Sequence, residues 1–357
     1  MKEAILRSEE QAVFALRGLY RRYGYVSYKM SQFEEYDLYV RNKDFLVSDQ
    51  IITFSGNSGR LLALKPDVTL SIVKNAPDTA GTVQKLYYNE NVYRDYREIM
   101  QTGLECVGDL GDYEIAEVVL LAVKSLSLLG SSFVLDISHM GLVAAVLGGC
   151  GLTEKQQKLA SEYLRRKNTH ELKALCAQNE GAWKKLSLLA SCRGGAEALQ
   201  RVETVLTTEP EKEALSELKG LWQILKDSGW GENVRFDFSV GNDMRYYSGV
   251  VFRGYLEGIP ASILSGGQYD KLPQKMGRRS RAIGFAIYMD MLQELYRDES
   301  AFDVDTVILH DGTVDTVTLT AAAEAAAKEG SVLVTRQLPQ GRNWKRVVRF
   351  EKGERAE

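Results

Sequence analysis

The chain has 357 residues, of which 45% are hydrophobic and 26% charged, which is ordinary globular usage and enough sequence for two or three domains. A net charge of -3 excludes the basic field that nucleic-acid-binding proteins usually carry over their whole surface, although it is compatible with a local basic patch. The sequence has no apolar run of about 18 residues and its N-terminal apolar run is broken by charges, so we expect a cytoplasmic protein without a membrane span or signal peptide.

The cysteines indicate a redox state and argue against a metal site. The four of them are widely spaced, with no CxxC pair and no histidine at ligand spacing: Cys106, Cys150, Cys176 and Cys192. A structural zinc site needs closely spaced ligands, so we expect no bound metal, and no cofactor is indicated. We expect free, buried thiols in a reducing compartment.

The N-terminal part predicts a helix followed by short strands. Apolar residues at helical spacing indicate a helix over residues 8–23, and a strand is expected over 25–30. Residues 45–54 and 60–64 are rich in β-forming residues. They are separated by a glycine-bounded turn at 56–59, which is typical of a hairpin.

The segment LKPDVT, at residues 64–69, allows two interpretations. Its proline would end the preceding strand and Thr69 could begin a helix, which would make the polar residues structural. Alternatively, Asp67 and Thr69 could present a carboxylate and a hydroxyl to a ligand. The residue types alone favour neither interpretation.

A second hairpin, over residues 85–109, carries polar side chains on a face built for burial. Two β-prone runs flank a short charged turn, and Gln101 and Glu105 lie four residues apart on the second run. Side chains at that spacing share one face of a strand. A buried polar group without a partner costs about 1–3 kcal/mol. A ligand is one partner for this pair, and solvent around an exposed hairpin is the alternative.

The centre of the chain is predicted to be helical. A strongly apolar helix is expected over residues 113–129 and a strand over 133–137. Residues 150–232 hold successive helical patterns and little β-rich sequence, and a capping box at 153–156 begins the first of them. We interpret 150–232 as a helical domain inserted into a β-rich host.

The β-rich host resumes after residue 232 and carries two adjacent tyrosines. In a regular strand, Tyr246 and Tyr247 would point to opposite faces, so at most one would aim its hydroxyl at a ligand unless the chain turns there. Packing with one buried hydroxyl bond is the alternative use of these side chains. Residues 303–357 predict a small α/β unit.

The order of residues in the second hairpin resembles motif 2 of the class II aminoacyl-tRNA synthetases, in their histidyl branch. The matching residues are Tyr93, Arg94, Gln101, Gly103, Leu104 and Glu105. Four further segments resemble that branch in the same order along the chain. They are LKPDVT with Asp67 and Thr69, the Tyr246-Tyr247 signature, SGGQYDKL with Tyr269, and motif 3 at residues 282–292.

This resemblance implies an α+β fold. Residues 1–149 and 233–302 would form a class II synthetase-like antiparallel sheet flanked by helices, with the helical insertion at 150–232. Residues 303–357 would form a reduced C-terminal α/β unit, about half the size of the family's anticodon-binding domain. The opening helix and strand are similar to motif 1, which forms the dimer interface in that family.

The sequence departs from the synthetases in the residues that they use for catalysis with ATP. The histidyl signature arginine falls at Asn242, and the motif 3 arginine, which holds ATP phosphates in that family, falls at Met291. Neither side chain can stabilise phosphate charge as a guanidinium does. Loss of one such donor costs roughly 10²–10³ in rate, so adenylate formation would be severely impaired. The motif 2 turn is also shorter than in the synthetases.

The amino-acid part of the synthetase site, by contrast, keeps its polar residues. The resemblance implies a histidine pocket formed by Asp67, Thr69, Arg94, Gln101, Glu105, Tyr246, Tyr247 and Tyr269. This combination resembles the synthetases' non-catalytic paralogue, the regulatory subunit of ATP phosphoribosyltransferase. It implies a hetero-oligomer with a short-form catalytic subunit, in which this chain is needed for activity and for feedback inhibition by L-histidine in the first step of histidine biosynthesis.

Two enzyme classes compete with this expectation. A divergent histidyl-tRNA synthetase, or another enzyme that makes an aminoacyl adenylate, would need the motif 3 arginine that Met291 replaces. The resemblance to the regulatory subunit also implies a dimer through the synthetase-like core, with no membrane or tRNA partner. Histidine could bind the pocket as the effector, or the pocket could be a relic with the effector bound between subunits.

Overall fold

The computed structural model describes residues 8–46, 50–56, 59–241, 246–292, 302–351 and 354–356. The chain separates into two units, Met1–Tyr296 and Arg297–Glu357. None of the described helices is both long enough and apolar enough to span a bilayer.

The first unit contains the predicted helices at 8–23, at 113–129 and within 150–232. It also contains helices at Tyr36–Arg41, Met140–Gly149 and Lys271–Lys275 that the sequence analysis did not predict. In chain order they are α1 (Ser8–Arg22), α2 (Tyr36–Arg41), α3 (Thr69–Asn75), α4 (Asp112–Leu129), α5 (Met140–Gly149), α6 (Glu154–Arg165), α7 (Thr169–Leu175), α8 (Glu180–Ser191), α9 (Ala196–Glu203), α10 (Glu209–Asp227) and α11 (Lys271–Lys275). Short 3-10 helices lie at Lys43–Phe45, Gly231–Asn233 and Met289–Leu292. The predicted capping box is confirmed, because the Thr153 and Gln156 side chains each bond the other's backbone N–H at the start of α6.

The strands of the first unit belong to two sheets. In chain order they are β1 (Val26–Ser27), β2 (Phe33–Glu35), β3 (Thr53–Ser55), β4 (Leu61–Leu64), β5 (Val83–Arg94), β6 (Arg97–Gly108), β7 (Phe133–His139), β8 (Arg193–Gly194), β9 (Val234–Asp237), β10 (Val250–Leu256), β11 (Leu264–Gln268) and β12 (Arg281–Tyr288). The larger sheet has the order β1-β5-β6-β12-β11-β10-β7-β9-β8, and the smaller has the order β2-β4-β3.

The larger sheet is mostly antiparallel. Every neighbouring pair from β5 across to β7 is antiparallel, whereas β1 with β5 and β7 with β9 are parallel pairs. Helix α4 contacts strands β7, β10, β11 and β12 of this sheet, and α1 contacts α4. The α+β fold predicted from the sequence, an antiparallel sheet flanked by helices, is confirmed.

The β5–β6 hairpin turns within two residues. Arg94 pairs with Arg97, and the residues between them, Asp95 and Tyr96, have φ angles of 51° and 60°. Positive φ at both central positions is what a two-residue type I′ turn requires, because its twist matches that of the paired strands. The predicted tight, charged turn is therefore confirmed, and it holds the two long strands in a fixed register.

One continuous core joins the sheet to the helical segment. Leu121 of α4 and Ile137 of β7 are fully buried in the same apolar cluster as Leu186 of α8 and Leu218 of α10. The helices of residues 150–232 thus bury their apolar faces partly on one another and partly on elements of the sheet region, such as α5 and β9.

The N-terminal strands are shorter than predicted. Only Val26 and Ser27 of the predicted strand at 25–30 form a ladder, parallel to β5, and the segment then leaves the sheet edge. Among the described residues of 45–54, which omit 47–49, only the start of the strand Thr53–Ser55 lies in a strand, and Phe45 ends the 3-10 helix Lys43–Phe45. The predicted turn at 56–59 falls partly outside the described residues, which omit 57 and 58.

The second unit combines helix and strand in its described residues. Its elements are β13 (Val304–His310), α12 (Thr316–Ala327), β14 (Val332–Thr335), β15 (Trp344–Glu351) and β16 (Glu354–Ala356). The strand order is β14-β13-β15-β16, with β13 parallel to both neighbours. A small core that includes Ile308, Ala326 and Phe350 lies between α12 and the sheet.

All four cysteines are free and buried, as expected from their spacing. Burial raises the pKa of each thiol, to about 12 for Cys106 and to about 11 for Cys150. Among the described residues, no group of three or more His, Cys, Asp and Glu side chains is arranged to hold a metal ion.

Candidate functional site

A cavity of about 430 Å³ lies over one face of the larger sheet. All eight residues that the resemblance assigned to a pocket line it: Asp67, Thr69, Arg94, Gln101, Glu105, Tyr246, Tyr247 and Tyr269. They come from the start of α3, the β5–β6 hairpin, the turn before β10 and the end of β11, so elements far apart in sequence converge on one space.

Glu105 of β6 is a buried carboxylate held by neutral groups. Thr69 Oγ1 donates to Glu105 Oε1 at 2.7 Å, and the Tyr269 hydroxyl donates to Glu105 Oε2. Burial raises the pKa of Glu105 to about 8, because these two hydroxyl bonds only partly offset the loss of water and nearby Asp67 adds negative charge. The carboxyl group is therefore placed to gain from a ligand that brings a cation or an N–H donor.

Gly284 of β12 makes room for the Glu105 carboxylate. The two residues are direct partners across the β6–β12 ladder. A Cβ atom at position 284 would lie 1.6 Å from Glu105 Oε2 and 2.5 Å from the Leu104 carbonyl oxygen. Only glycine lets the acid lie flat over the neighbouring strand in this conformation.

Asp67 has both a structural and an electrostatic role. Its Oδ1 accepts a hydrogen bond of 2.8 Å from the Leu70 N–H in the first turn of α3, and its Oδ2 lies 3.5 Å from Arg94 Nη2. Burial raises the pKa of Asp67, although Arg94 and the backbone N–H bonds act in the opposite direction. The two interpretations of LKPDVT are thus compatible, since one oxygen supports the helix while the residue also lines the cavity.

Gln101 presents an amide without a partner. It is 3% exposed and shares the cavity face of β6 with Glu105, as its spacing predicts. Its Nε2 has no hydrogen-bond partner within the described parts of the chain. An unpaired buried donor of this kind costs about 1–3 kcal/mol, which a ligand oxygen would recover.

The three tyrosines form one aromatic wall. The ring centroid of Tyr246 lies 4.7 Å from that of Tyr247 and 5.7 Å from that of Tyr269. Burial raises the pKa of all three phenols, which keeps their hydroxyls neutral donors. Both Tyr246 and Tyr247 line the cavity because they precede β10 in a turn, where the alternation expected of a strand does not apply.

The sequence analysis missed further cavity residues. They are Tyr88, Arg253, Ser262, Ser265 and Tyr288, and the hydroxyls of Ser265 and Tyr288 lie 3.0 Å apart. The most detectable was Arg253, a single charge within the otherwise uncharged strand VVFRGYL. The sequence around Tyr88 is typical of a buried strand. The sequence around Tyr288 is likewise that of a residue that packs in the core, so neither tyrosine stands out as a cavity residue.

The structure describes one of the two positions at which the arginines of the synthetases are replaced. Met291 lies in the 3-10 turn Met289–Leu292 and packs against the main apolar core, as its thioether chemistry favours. Asn242 lies outside the described residues.

A second polar group, which we call the junction cluster, lies where the helical segment meets the sheet. Its members are Asp136, Lys167, Arg193 and Asp237, around a cavity of about 380 Å³. Arg193 lies 2.7 Å from Asp136, and Lys167 lies 2.7 Å from Asp237. Burial raises the pKa of Asp136, whereas at Asp237 the bonds from Lys167 and Ser239 outweigh burial and lower the pKa.

The chain matches known proteins over most of its length. Residues 2–292 match the family model described as histidyl-tRNA synthetase. The ATP phosphoribosyltransferase regulatory subunit of Oceanobacillus iheyensis is 30% identical over 76% of this chain and 70% of that protein.

Solved structures share the fold. A Bacillus halodurans protein described as an ATP phosphoribosyltransferase regulatory subunit/histidyl-tRNA synthetase superposes with a TM-score of 0.76 at 24% identity, over 96% of this chain and 94% of that chain. A chain of the ATP phosphoribosyl transferase (HisG:HisZ) complex from Thermotoga maritima superposes with a TM-score of 0.62 at 18% identity, over 78% of this chain and 96% of that chain. By the family model and the sequence relatives, this chain belongs to the histidyl-tRNA synthetase family and, within it, to the ATP phosphoribosyltransferase regulatory subunits.

Proposed function

We propose that this chain is the non-catalytic regulatory subunit of a short-form ATP phosphoribosyltransferase, and that its cavity binds L-histidine as the feedback effector. The observation that carries the proposal is a contrast within one site. The eight polar residues inferred for histidine line one cavity, while Met291 stands in the apolar core where the family has an arginine for ATP phosphates.

The cavity offers a partner for each polar group of histidine. The Asp67 carboxylate would accept from the ammonium group, and Glu105 would accept from an imidazole N–H in place of a neutral hydroxyl. Gln101 Nε2, which has no hydrogen-bond partner among the described residues, is one donor toward the carboxylate. The tyrosine wall would exclude water, which strengthens each of these bonds.

The absence of a catalytic role is part of the proposal. Methionine offers no donor to a phosphate, and removal of one preorganised charge donor costs roughly 10²–10³ in rate. Activity would then belong to the partner subunit. Histidine would act by favouring one arrangement of the complex, with a coupling of about 1–3 kcal/mol between sites. The chain would also self-associate through its synthetase-like core.

Calorimetric titration of L-histidine into the purified chain, alone and mixed with a short-form catalytic subunit, tests the proposal. We expect saturable binding, transferase activity only in the mixture, and inhibition of that activity by histidine. The Glu105→Gln variant should lose binding, whereas Glu98→Gln, an exposed acid on the same strand, should retain it. Histidine-dependent ATP–pyrophosphate exchange at rates typical of a synthetase would contradict the proposal and favour a divergent synthetase or another adenylate-forming enzyme.

A further inference from the structure

Arg253 is a cation for which the described part of the chain supplies no hydrogen bond or ion pair. It lies on β10 among Val250, Val251 and Phe252, is half-buried, and lines the cavity. Within the described residues it forms no hydrogen bond or ion pair, although Asp136 is its direct neighbour across the ladder to β7. Asp136 is paired with Arg193 instead. Arg253 also lines the cavity of the junction cluster, where Asp136 Oδ1 has no hydrogen-bond partner among the described residues. A half-buried guanidinium that forms no ion pair keeps donors that can bind an anion.

The sheet register places Arg253 on the same face as the acids of the cavity. Gly103 of β6 pairs with Ala286 of β12, Ala286 pairs with Ser265 of β11, and Ser265 pairs with Arg253. Directly paired residues share a face, so this row runs beside the row that contains Glu105. The strands of Gly103 and Arg253 are three spacings apart, about 14 Å. A side chain from β6, the Arg253 side chain from β10 and one bound amino acid between them can together span that distance.

The other cation of the cavity is already engaged. Arg94 is 7% exposed, donates from Nε to the Pro66 carbonyl oxygen, and pairs with Asp67 at 3.5 Å. A ligand carboxylate at Arg94 would compete with Asp67 for the same guanidinium. The family's signature arginine falls at Asn242, so that position supplies no charge either.

One neutral donor lies across the ladder from Arg253, and a second lies next to that donor. The Ser265 hydroxyl, on its ladder partner, lies 3.0 Å from the Tyr288 hydroxyl. Burial raises the pKa of Tyr247, and the Arg253 charge counters part of that rise, so the guanidinium is felt inside the cavity. Two hydroxyls beside one guanidinium form a donor set suited to a carboxylate.

We propose that Arg253, with the Ser265 and Tyr288 hydroxyls, binds the carboxylate of the amino-acid effector and makes the cavity selective for a free α-carboxylate. The inference rests on the proposed function and assigns one part of the ligand within it. The ring and ammonium groups would lie at Glu105 and Asp67, and the carboxylate would point across the sheet toward β10.

The test compares L-histidine with L-histidinol, in which a hydroxymethyl group replaces the carboxylate. Dissociation constants are measured by calorimetry on the full chain for the wild type, Arg253→Gln and Arg94→Gln. We expect the wild type to prefer histidine by roughly 10- to 100-fold, the range for one charge-assisted bond. Arg253→Gln should remove most of that preference while it leaves histidinol affinity within about twofold, because the effect is confined to the carboxylate.

Two further variants keep the test decisive. Arg253→Lys should restore part of the preference, because it returns the charge without the planar fork. If Arg253→Gln does not fold, Ser265→Ala with Tyr288→Phe addresses the same group and should lower the preference severalfold. A preference that survives loss of Arg253, or that collapses only in Arg94→Gln, would overturn the assignment. A wild type that binds neither compound would instead overturn the proposed function, and the assignment with it.

Discussion

Two regions on the larger sheet contain buried acidic side chains, and they differ in whether cations or neutral groups contact those acids. In the cavity, the hydrogen bonds that the described residues give to the Glu105 carboxylate come from neutral hydroxyls, and Asp67 lies 3.5 Å from the Arg94 guanidinium. In the junction cluster, Asp237 lies 2.7 Å from Lys167 and 3.6 Å from Arg193. Glu105 and Asp67 line an open cavity, whereas Asp237 is neutralised by two cations from the helical segment.

The pKa directions express this difference. Burial raises the pKa of Glu105 to about 8, while the cations around Asp237 overcome burial and lower its pKa. A buried acid that the protein itself neutralises stabilises the fold. A buried acid that has only neutral partners is unfavourable when ionised in the ligand-free protein. A ligand that supplies a cation or an N–H donor removes that cost, so the acid stabilises the bound state. The comparison therefore separates an acid that is available to a ligand in the proposed site from an acid that the protein neutralises itself.

The largest effect should come from filling the space beside Glu105. In Gly284→Ala, the new methyl group would lie 1.6 Å from Glu105 Oε2, so the carboxylate must move. We expect histidine affinity to fall at least about 100-fold, and the free energy of unfolding to fall by about 1–3 kcal/mol from overpacking. Calorimetry and denaturant unfolding measure both. Gly220→Ala, where nothing lies within 4 Å of the added atom, is the matched control and should leave binding unchanged.

Loss of the junction charge should change stability without changing binding. Asp237→Asn removes the partner of Lys167 and Arg193, which are 44% and 45% exposed, so we expect a loss of about 2 kcal/mol rather than the larger cost of a fully buried pair. Asp136→Asn should cost less, because burial already opposes its charge. Histidine affinity that falls in parallel with stability would show that the two regions are not independent.

The pH dependence should have opposite signs at Glu105 and at Asp237. The folded protein holds the Glu105 proton more tightly than the unfolded chain does, since its pKa rises from 4.5 to about 8. Raising the pH through that window should lower the free energy of unfolding of the ligand-free protein by at most about 1.4 kcal/mol per pH unit. Unfolding curves of the wild type and Glu105→Gln, measured across this range, should therefore converge as the pH falls. Asp237, whose pKa is lowered, should lose its contribution only in more acidic solution.

The smallest effect should come from one hydroxyl. Thr69→Val removes the 2.7 Å bond to Glu105 and leaves the side-chain shape nearly unchanged. We expect a change of about 1 kcal/mol in histidine binding, or about fivefold in the dissociation constant. Thr69→Ser, which keeps the hydroxyl, should bind nearly as the wild type does. Equal losses in the two variants would mean that packing, not the hydrogen bond, decides the result.

The hairpin shows what the sequence could predict about the cavity, and β10 shows what it could not. Strand alternation alone put Gln101 and Glu105 on one face, and the order of motifs brought Asp67 and Tyr269 to the same place. The sequence shows Arg253 as a single charge in its strand but does not show its place in the cavity, because such a charge is usually exposed and its position depends on pairing between strands distant in sequence. The turn that lets both Tyr246 and Tyr247 line the cavity has no local signature that distinguishes it from a strand.

The burial of every cysteine has a practical consequence for optical experiments. With its thiol pKa values raised, the native protein holds very little reactive thiolate at neutral pH. Tyr96, at the tip of the β5–β6 hairpin and two residues from Arg94 in the cavity wall, is 82% exposed. A Tyr96→Cys variant would accept a single maleimide fluorophore with every native cysteine left in place, so that emission could be recorded from the hairpin tip while L-histidine is added.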